Sequence, residues 1–176
     1  MFQMIQNCNT WKVLACFLDE PTKKHQIRQI SRKINLATTS VKKHIETLIK
    51  ENLVEEGEYV FKYYRANFDN KDFRFYKKIN TLMRLKSSKL IDYLERTFTP
   101  DVIMLFGSCA KGEDTERSDI DIYIQSKGEV PDLKKFEEIL GRKIELFVHE
   151  NINNLPKELR NNILNGTKIS GYLKVF

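Results

Sequence analysis

Residues 104–124, MLFGSCAKGEDTERSDIDIYI, constrain the fold more than any other stretch of the chain. An apolar run ends at Gly107-Ser108, a polar loop containing Gly112 follows, and a second apolar run carries Asp119 and Asp121. Ser-Asp-Ile-Asp-Ile alternates strictly, which is the pattern of a half-buried strand. Period two places Asp119 and Asp121 on one face and Ile120 and Ile122 on the other. Adjacent carboxylates repel, and a divalent cation removes that cost because hard oxygen ligands suit magnesium. An isolated D-x-D is usually a solvated strand face. Here the pair follows a Gly-Ser at the end of another strand by eleven residues, which makes it a candidate site.

The chain of 176 residues is long enough for one medium domain or two small ones. With 41% hydrophobic and 31% charged residues it reads as a soluble globular protein. No run of apolar residues is long enough to span a membrane. The first residues, MFQMIQNCNTWKVL, lack the basic start and long apolar core of a signal peptide. Cys8, Cys16 and Cys109 form no C-x-x-C pair and leave an odd count, which fits a reducing cytoplasm and neither a disulfide framework nor a zinc site. Cys109 beside Ser108 reads as a small loop residue, with no histidine near it. The net charge of +6 is unevenly spread. Residues 1–99 hold 19 Lys and Arg against 11 Asp and Glu, and residues 100–176 hold 11 against 13. A basic front half and a mildly acidic rear half indicate two units with different partners.

In the front half, Trp11, Val13, Leu14, Phe17 and Leu18 recur at helical spacing, predicting a helix over 9–19. A second helix is expected over 24–33 with Ile27 and Ile30 inward. After a turn at 34–37, Thr38 or Thr39 can cap a third helix running to Lys50. Val41, Ile45, Leu48 and Ile49 form its apolar stripe, and Thr39, Ser40, Lys42, Lys43 and Glu46 its outer face. A strand starts at Leu53-Val54, Gly57 is a turn signal, and 59–64 reads as the returning strand. His25 and His44 read as ordinary surface or half-buried residues. The order helix, helix, turn, helix, hairpin is that of a winged helix-turn-helix. QIRQISRKINLATTSVKKHIETLIKENLVEEGEYVFKYYRAN resembles the winged-helix domains of prokaryotic transcriptional regulators. The resemblance implies double-stranded DNA as partner, contacted by Thr39, Ser40, Lys42, Lys43 and Lys62, with protein docking as the other use of such a module. Residues 68–89 follow as one helix, with Phe75, Tyr76, Ile79, Leu82 and Met83 as its stripe and Arg74, Lys77, Lys78 and Arg84 solvated. It serves either as a connector or as a homodimer interface.

In the rear half a short helix over 90–98 ends at Pro100, and 102–106 is a buried strand. At Gly107-Ser108 a small residue lets backbone N–H groups approach a phosphate, and the serine hydroxyl adds a donor. Lys111 and Arg117 can neutralise phosphate charge. Pro131, Asp132 and Gly141 mark a crossover helix over 131–140. A third strand over 143–148 carries Glu145 between Ile144 and Leu146. A central acid there is costly unless exposed or paired with a cation. If this strand neighbours the one bearing Asp119 and Asp121, three carboxylates converge. His149, just past it, is a further candidate for substrate contact.

Gly-Ser, a loop, D-x-D on a strand and an acid on a later strand together resemble the nucleotidyltransferase superfamily that includes DNA polymerase β. GSCAKGEDTERSDIDIYI is most similar in kind to the minimal nucleotidyltransferase domains of bacteria and archaea, and the likeness covers about residues 88–176, with a closing helix over 155–164. It implies a two-domain α+β/α/β chain: winged helix-turn-helix over 1–67, connecting helix over 68–87, and a nucleotidyltransferase fold over 88–176 with a small mixed sheet flanked by helices. It further implies Asp119, Asp121 and Glu145 as catalytic and metal-binding residues for two magnesium ions. Gly107, Ser108, Lys111 and Ser118 would bind ATP or another nucleoside triphosphate. The acceptor of the nucleotide would be a protein, as for antitoxins that modify a partner toxin. A sensor that binds nucleotide without transfer is the alternative. The family usually carries arginine where Lys111 stands, and lysine keeps the charge while losing the bidentate fork. Glu145 stands where aspartate is more usual.

Overall fold

The structure is a computed structural model that describes residues 7–174. The outermost residues of both expected domains, 1–6 and 175–176, lie outside the described part. The chain divides into two compact units, residues 1–80 and 81–176.

The first unit begins with α1 (Asn9–Asp19), α2 (Ile27–Ile34) and α3 (Thr38–Lys50), followed by β1 (Val54–Glu58) and β2 (Lys62–Ala66) as an antiparallel hairpin. Val13, Leu14 and Phe17 of α1, Ile30 of α2, and Val41, Ile45 and Leu48 of α3 form its core with Val54 and Tyr64. The helical stripes read from the sequence thus meet one another. Several local expectations change. The second helix starts at Ile27, because Lys24 to Gln26 are drawn into an extended segment in which the backbones of His25 and Tyr64 exchange two hydrogen bonds of 2.8 Å. His25 is consequently buried, with its ring edge-on to Phe17. Neither threonine caps α3; Ala37 occupies that position without a side-chain bond. Gly57 lies inside β1 opposite Tyr63, whose ring covers it, and the turn falls at Tyr59, Val60 and Phe61, all strongly exposed.

Helix α4 (Lys71–Ser87) continues past the boundary between the units. Its stripe is split: Phe73 and Tyr76 join the first core, Leu82 and Leu85 the second, while Phe75 is exposed. Lys77, expected in solvent, is buried and donates to the Leu18 carbonyl at 2.6 Å, at the C-terminal end of α1 where carbonyls lack helical partners.

The second unit contains α5 (Leu90–Phe98), β3 (Val102–Phe106), α6 (Gly107–Lys111), β4 (Ile120–Gln125), α7 (Lys134–Leu140), β5 (Ile144–His149), a 3-10 turn (Ile152–Asn154), α8 (Lys157–Leu164) and β6 (Thr167–Gly171). The sheet order is β5-β4-β3-β6. Strand β4 pairs parallel with β5 and antiparallel with β3, and β3 pairs antiparallel with β6, so the sheet is small and mixed as expected. Ile120, Ile122 and Ile124 pack with Ile103, Leu105, Leu90, Leu94 and Leu140 on one face. Tyr123, Met104 and Phe106 pack with Ile152, Leu155 and Ile163 on the other. Two elements differ from the sequence reading. The segment after β3 is a short helix rather than open loop. The crossover helix starts at Lys134, three residues beyond Pro131, with the Asp132 carboxylate accepting from the Lys134 N–H.

Candidate functional site

The candidate site lies where the C-terminal end of β3 meets the N-terminal ends of β4 and β5. Phe106, Asp121 and Glu145 are register partners across the three strands, so Asp121 and Glu145 are cross-strand neighbours. Asp119 sits one residue before β4, two positions from Asp121 and exposed. By strand periodicity Asp121 shares its face with Tyr123, whose hydroxyl is buried in the core beneath.

Gly107 is fixed by this arrangement. It adopts φ +67°, where a side chain is strained, and a Cβ at this position would collide with the Asp121 carboxylate oxygen Oδ2. The Gly-Ser turn is therefore pressed against the carboxylate rather than merely near it in sequence. Gly112, also with positive φ, ends α6 and returns the chain, and the Glu113 N–H donates to the Ser108 carbonyl at 3.0 Å.

Asp121 is half-buried, and its carboxyl is pushed up to about 6 by burial, by the Glu145 charge and by the Asp119 charge, with Arg142 pulling weakly the other way. Among the described residues, none of the three carboxylates takes part in an ion pair. Also among them, no three His, Cys, Asp or Glu side chains stand close enough together to hold a metal ion as they are. The expected carboxylates thus share one end of the sheet without forming a tight cluster. Their donor set is nonetheless all hard oxygen, and among the described residues no cationic side chain forms an ion pair with them. Both properties fit magnesium.

The remaining expected residues are placed as follows. Lys111 is the exposed last residue of α6. The Ser118 hydroxyl accepts the Thr115 N–H at 3.0 Å, closing the turn before Asp119. His149 is the register partner of Gln125 at the far end of β5 from Glu145, which removes it from the site. Cys109 is buried, its thiol pushed up to about 11 chiefly by burial and then by Asp114, so it is no nucleophile. In the first unit, Thr39, Lys42 and Lys43 are exposed on α3 and Ser40 is half-buried. Lys62 is already paired with Glu56 at 2.7 Å across the hairpin, and Arg65 with Glu55 at 2.8 Å.

Sequence reasoning missed Arg142, which precedes β5. Its guanidinium donates to Asp114 Oδ2 at 2.6 Å, to the Ser118 carbonyl at 2.7 Å, to the Asp119 carbonyl at 3.1 Å and to Cys109 Sγ at 3.2 Å. Asp114 is fully buried in the loop between α6 and β4, and an acid packed there requires a cation, but that burial is visible only in the structure.

Residues 88–171 match the family described as polymerase beta, nucleotidyltransferase. A protein of Methanocaldococcus jannaschii bearing the name "putative protein adenylyltransferase" is 40% identical over 60 residues, which is 30% of this chain. The chain spans 60% of that relative's length. No solved structure matches significantly. No helix among the described residues is long and apolar enough to cross a membrane. The region from 88 to 171, which holds Gly107, Asp121 and Glu145 at one end of its sheet, is thus similar to polymerase β-like nucleotidyltransferase domains.

Proposed function

We propose that the second unit is a magnesium-dependent nucleotidyltransferase that moves AMP from ATP onto a hydroxyl of a partner protein. The observation that carries this is Asp121: half-buried, beside two further carboxylates, with its carboxyl held near 6 and the Gly107 backbone against it. Gly107 and Ser108 receive the triphosphate, with Lys111 adding positive charge. Asp119, Asp121 and Glu145 hold the magnesium, which when bound neutralises charge on the phosphates and on the departing pyrophosphate. The acceptor oxygen attacks the α-phosphorus in line, its bond to phosphorus forms as the bond to pyrophosphate breaks, and Glu145 either serves as a metal ligand or accepts the hydroxyl proton. Protein as acceptor is supported by the name of the archaeal relative, and a toxin-like partner is the acceptor class that the resemblance to minimal nucleotidyltransferases implies.

The first unit, in this proposal, is a winged helix-turn-helix that reads double-stranded DNA through α3. Thr39, Lys42 and Lys43 form its contact face, and the chain acts in the cytoplasm. The exposed α3 lysines support this, and the pairing of Lys62 with Glu56 makes Lys62 the weaker contact.

The test is transfer of label from α-labelled ATP, with magnesium, onto proteins that co-purify with the chain. The wild type should label an acceptor, and Asp119→Ala with Asp121→Ala should lose at least about 1000-fold of that rate. No metal-dependent label on any acceptor while DNA binding persists would instead make the chain a regulator whose second unit senses nucleotide.

A further inference from the structure

Asp119 poses a mechanical problem. It lies outside β4, so the strand ladder does not hold it: the first ladder bond on this side is the Ile120 N–H to the Lys143 carbonyl at 2.9 Å. Its side chain is exposed, and the loop before it spans Gly112 to Ser118. An exposed carboxylate on an unsupported residue samples many directions, at an entropy cost whenever it must occupy one.

The Arg142 guanidinium addresses this point. Its Nε donates to the carbonyl of Ser118 and its Nη2 to the carbonyl of Asp119. Those two carbonyls belong to the peptide groups on either side of the Asp119 Cα. Holding both peptide planes fixes φ and ψ of Asp119, which are the only soft backbone angles the residue has. The planar fork suits two acceptors at fixed spacing, which a lysine ammonium cannot reproduce. The guanidinium is itself anchored. Asp114, fully buried, takes Nη1 at 2.6 Å in an ion pair in which the Arg142 side chain is only 10% exposed. The buried Cys109 thiol accepts from Nη2 and donates to the Asp119 carbonyl at 3.4 Å.

From this geometry we infer that Arg142, with Asp114 and Cys109 behind it, is the positioning residue that aims the Asp119 carboxylate. The inference rests on the nucleotidyltransferase reading for what Asp119 does, and it adds which residue makes Asp119 effective. Arg142 is not a phosphate ligand: each bond found for its guanidinium points to the loop backbone, the buried acid or the thiol. Its loss should leave ATP binding at Gly107 and Ser108 in place and lower turnover and metal affinity instead.

The experiment compares the full-length wild type with Arg142→Ala and Arg142→Lys. Three quantities are measured: kcat and KM for ATP in label transfer, Mn2+ binding with ATP present followed by electron paramagnetic resonance, and thermal unfolding. For Arg142→Ala the expected result is a fall in kcat of about 100-fold, the cost of misplacing a catalytic group by about 1 Å, with KM for ATP within about threefold. Mn2+ affinity should fall about tenfold, a loss typical of removing an outer-shell partner. Added guanidinium ion should restore part of kcat, which a general loss of stability would not allow. Arg142→Lys keeps the charge opposite Asp114 and should remain folded, so it carries the test if Arg142→Ala does not fold. It should still lose about tenfold in kcat, because the two-carbonyl fork is gone. A folded variant with wild-type kcat and Mn2+ affinity overturns the inference. If the wild type transfers no label but binds Mn2+, affinity alone decides: unchanged in the variants, the inference fails; lowered, it stands although the transfer reading does not. A wild type that neither transfers label nor binds Mn2+ overturns both.

Discussion

Glu20 in the first unit and Asp121 in the second are both half-buried carboxylates, and their surroundings treat them in opposite ways. Burial raises both. At Glu20 it is outweighed by Lys33 at 2.6 Å and Lys23 at 2.9 Å, which hold the carboxyl down to about 2. At Asp121 burial is reinforced by Glu145 and Asp119, and the carboxyl rises to about 6. The hairpin of the first unit repeats the first pattern, with Glu55 and Glu56 each answered by a cation on the facing strand. Unsatisfied negative charge is therefore concentrated at one end of the second sheet. A fold gains nothing in stability from such a concentration, and a group that must meet a cation does.

The sharpest way to break this contrast is Asp121→Asn, which keeps the shape and removes the charge. Label transfer should fall by about 1000-fold or more, because a metal-binding carboxylate is gone. Stability should move the other way. The Asp121 pKa of about 6 lies above its ordinary value of 3.8, so the folded state binds this proton more tightly than the unfolded chain does. The resulting stabilisation is fully present below pH 3.8 and is lost as the pH rises through 6. At neutral pH the asparagine variant should therefore be more stable by about 1–2 kcal/mol after allowance for solvent screening. That is an upward shift of about 3–5 °C in the thermal midpoint. The gap between the two proteins should close as the pH is lowered from 7 to 4. Equal midpoints at neutral pH would mean that the carboxylate is already neutralised by its own chain.

The second contrast is between cations that are answered and cations that are not. Lys62 is bound to Glu56 at 2.7 Å, whereas the nearest acid to Lys42 is Glu46 at 3.9 Å. If α3 meets DNA, Lys42→Ala with Lys43→Ala should weaken binding about tenfold and reduce the slope of log affinity against log salt by about 2. Lys62→Ala should do much less, since its charge is already spent on the hairpin. An equal effect from Lys62→Ala in a fluorescence-anisotropy salt titration would show that the Glu56 pair opens on contact, and no effect from the α3 pair would assign the face to protein.

Much of this organisation was legible in the sequence, and the limits have a common physical cause. The bounds of β3 and α5 follow from continuous apolar content and helical spacing, both local signals. The adjacency of β4 and β5 follows from a crossover helix between two apolar runs, with Gly141 as its stop. Strand β6 was not legible, because Thr-Lys-Ile-Ser-Gly has little alternation and is a strand only through its pairing with β3. Gly57 was misplaced as a turn because glycine marks turns on average, while here its missing side chain makes room for the Tyr63 ring. Arg142 was invisible for the strongest form of the same reason. Its partners lie 23 to 33 residues earlier in the chain, so nothing in its own neighbourhood announces them. The carboxylates could be read as a pattern, whereas what orients one of them depends on tertiary contact alone.

The smallest expected effect comes from the satisfied carboxylate. Glu20→Gln removes a charge that holds Lys23 and Lys33, and it should cost about 1 kcal/mol at neutral pH, near the top of the range for ion pairs that solvent can reach. The sign of its pH dependence is the reverse of that at Asp121. The folded pKa of about 2 lies below the ordinary 4.5, so the stabilisation is present above pH 4.5 and disappears as the pH falls through 2. Between pH 4.5 and 7, thermal unfolding of Glu20→Gln should therefore track the wild type at a constant offset, while Asp121→Asn diverges from it. Raised ionic strength should shrink the Glu20 offset, because the Lys23 and Lys33 side chains are about half exposed and salt screens them. If the Glu20 offset instead grew with pH across that window, the two carboxylates would share one electrostatic environment, and the contrast between an acid answered by cations in the first unit and an unanswered one in the second would be wrong.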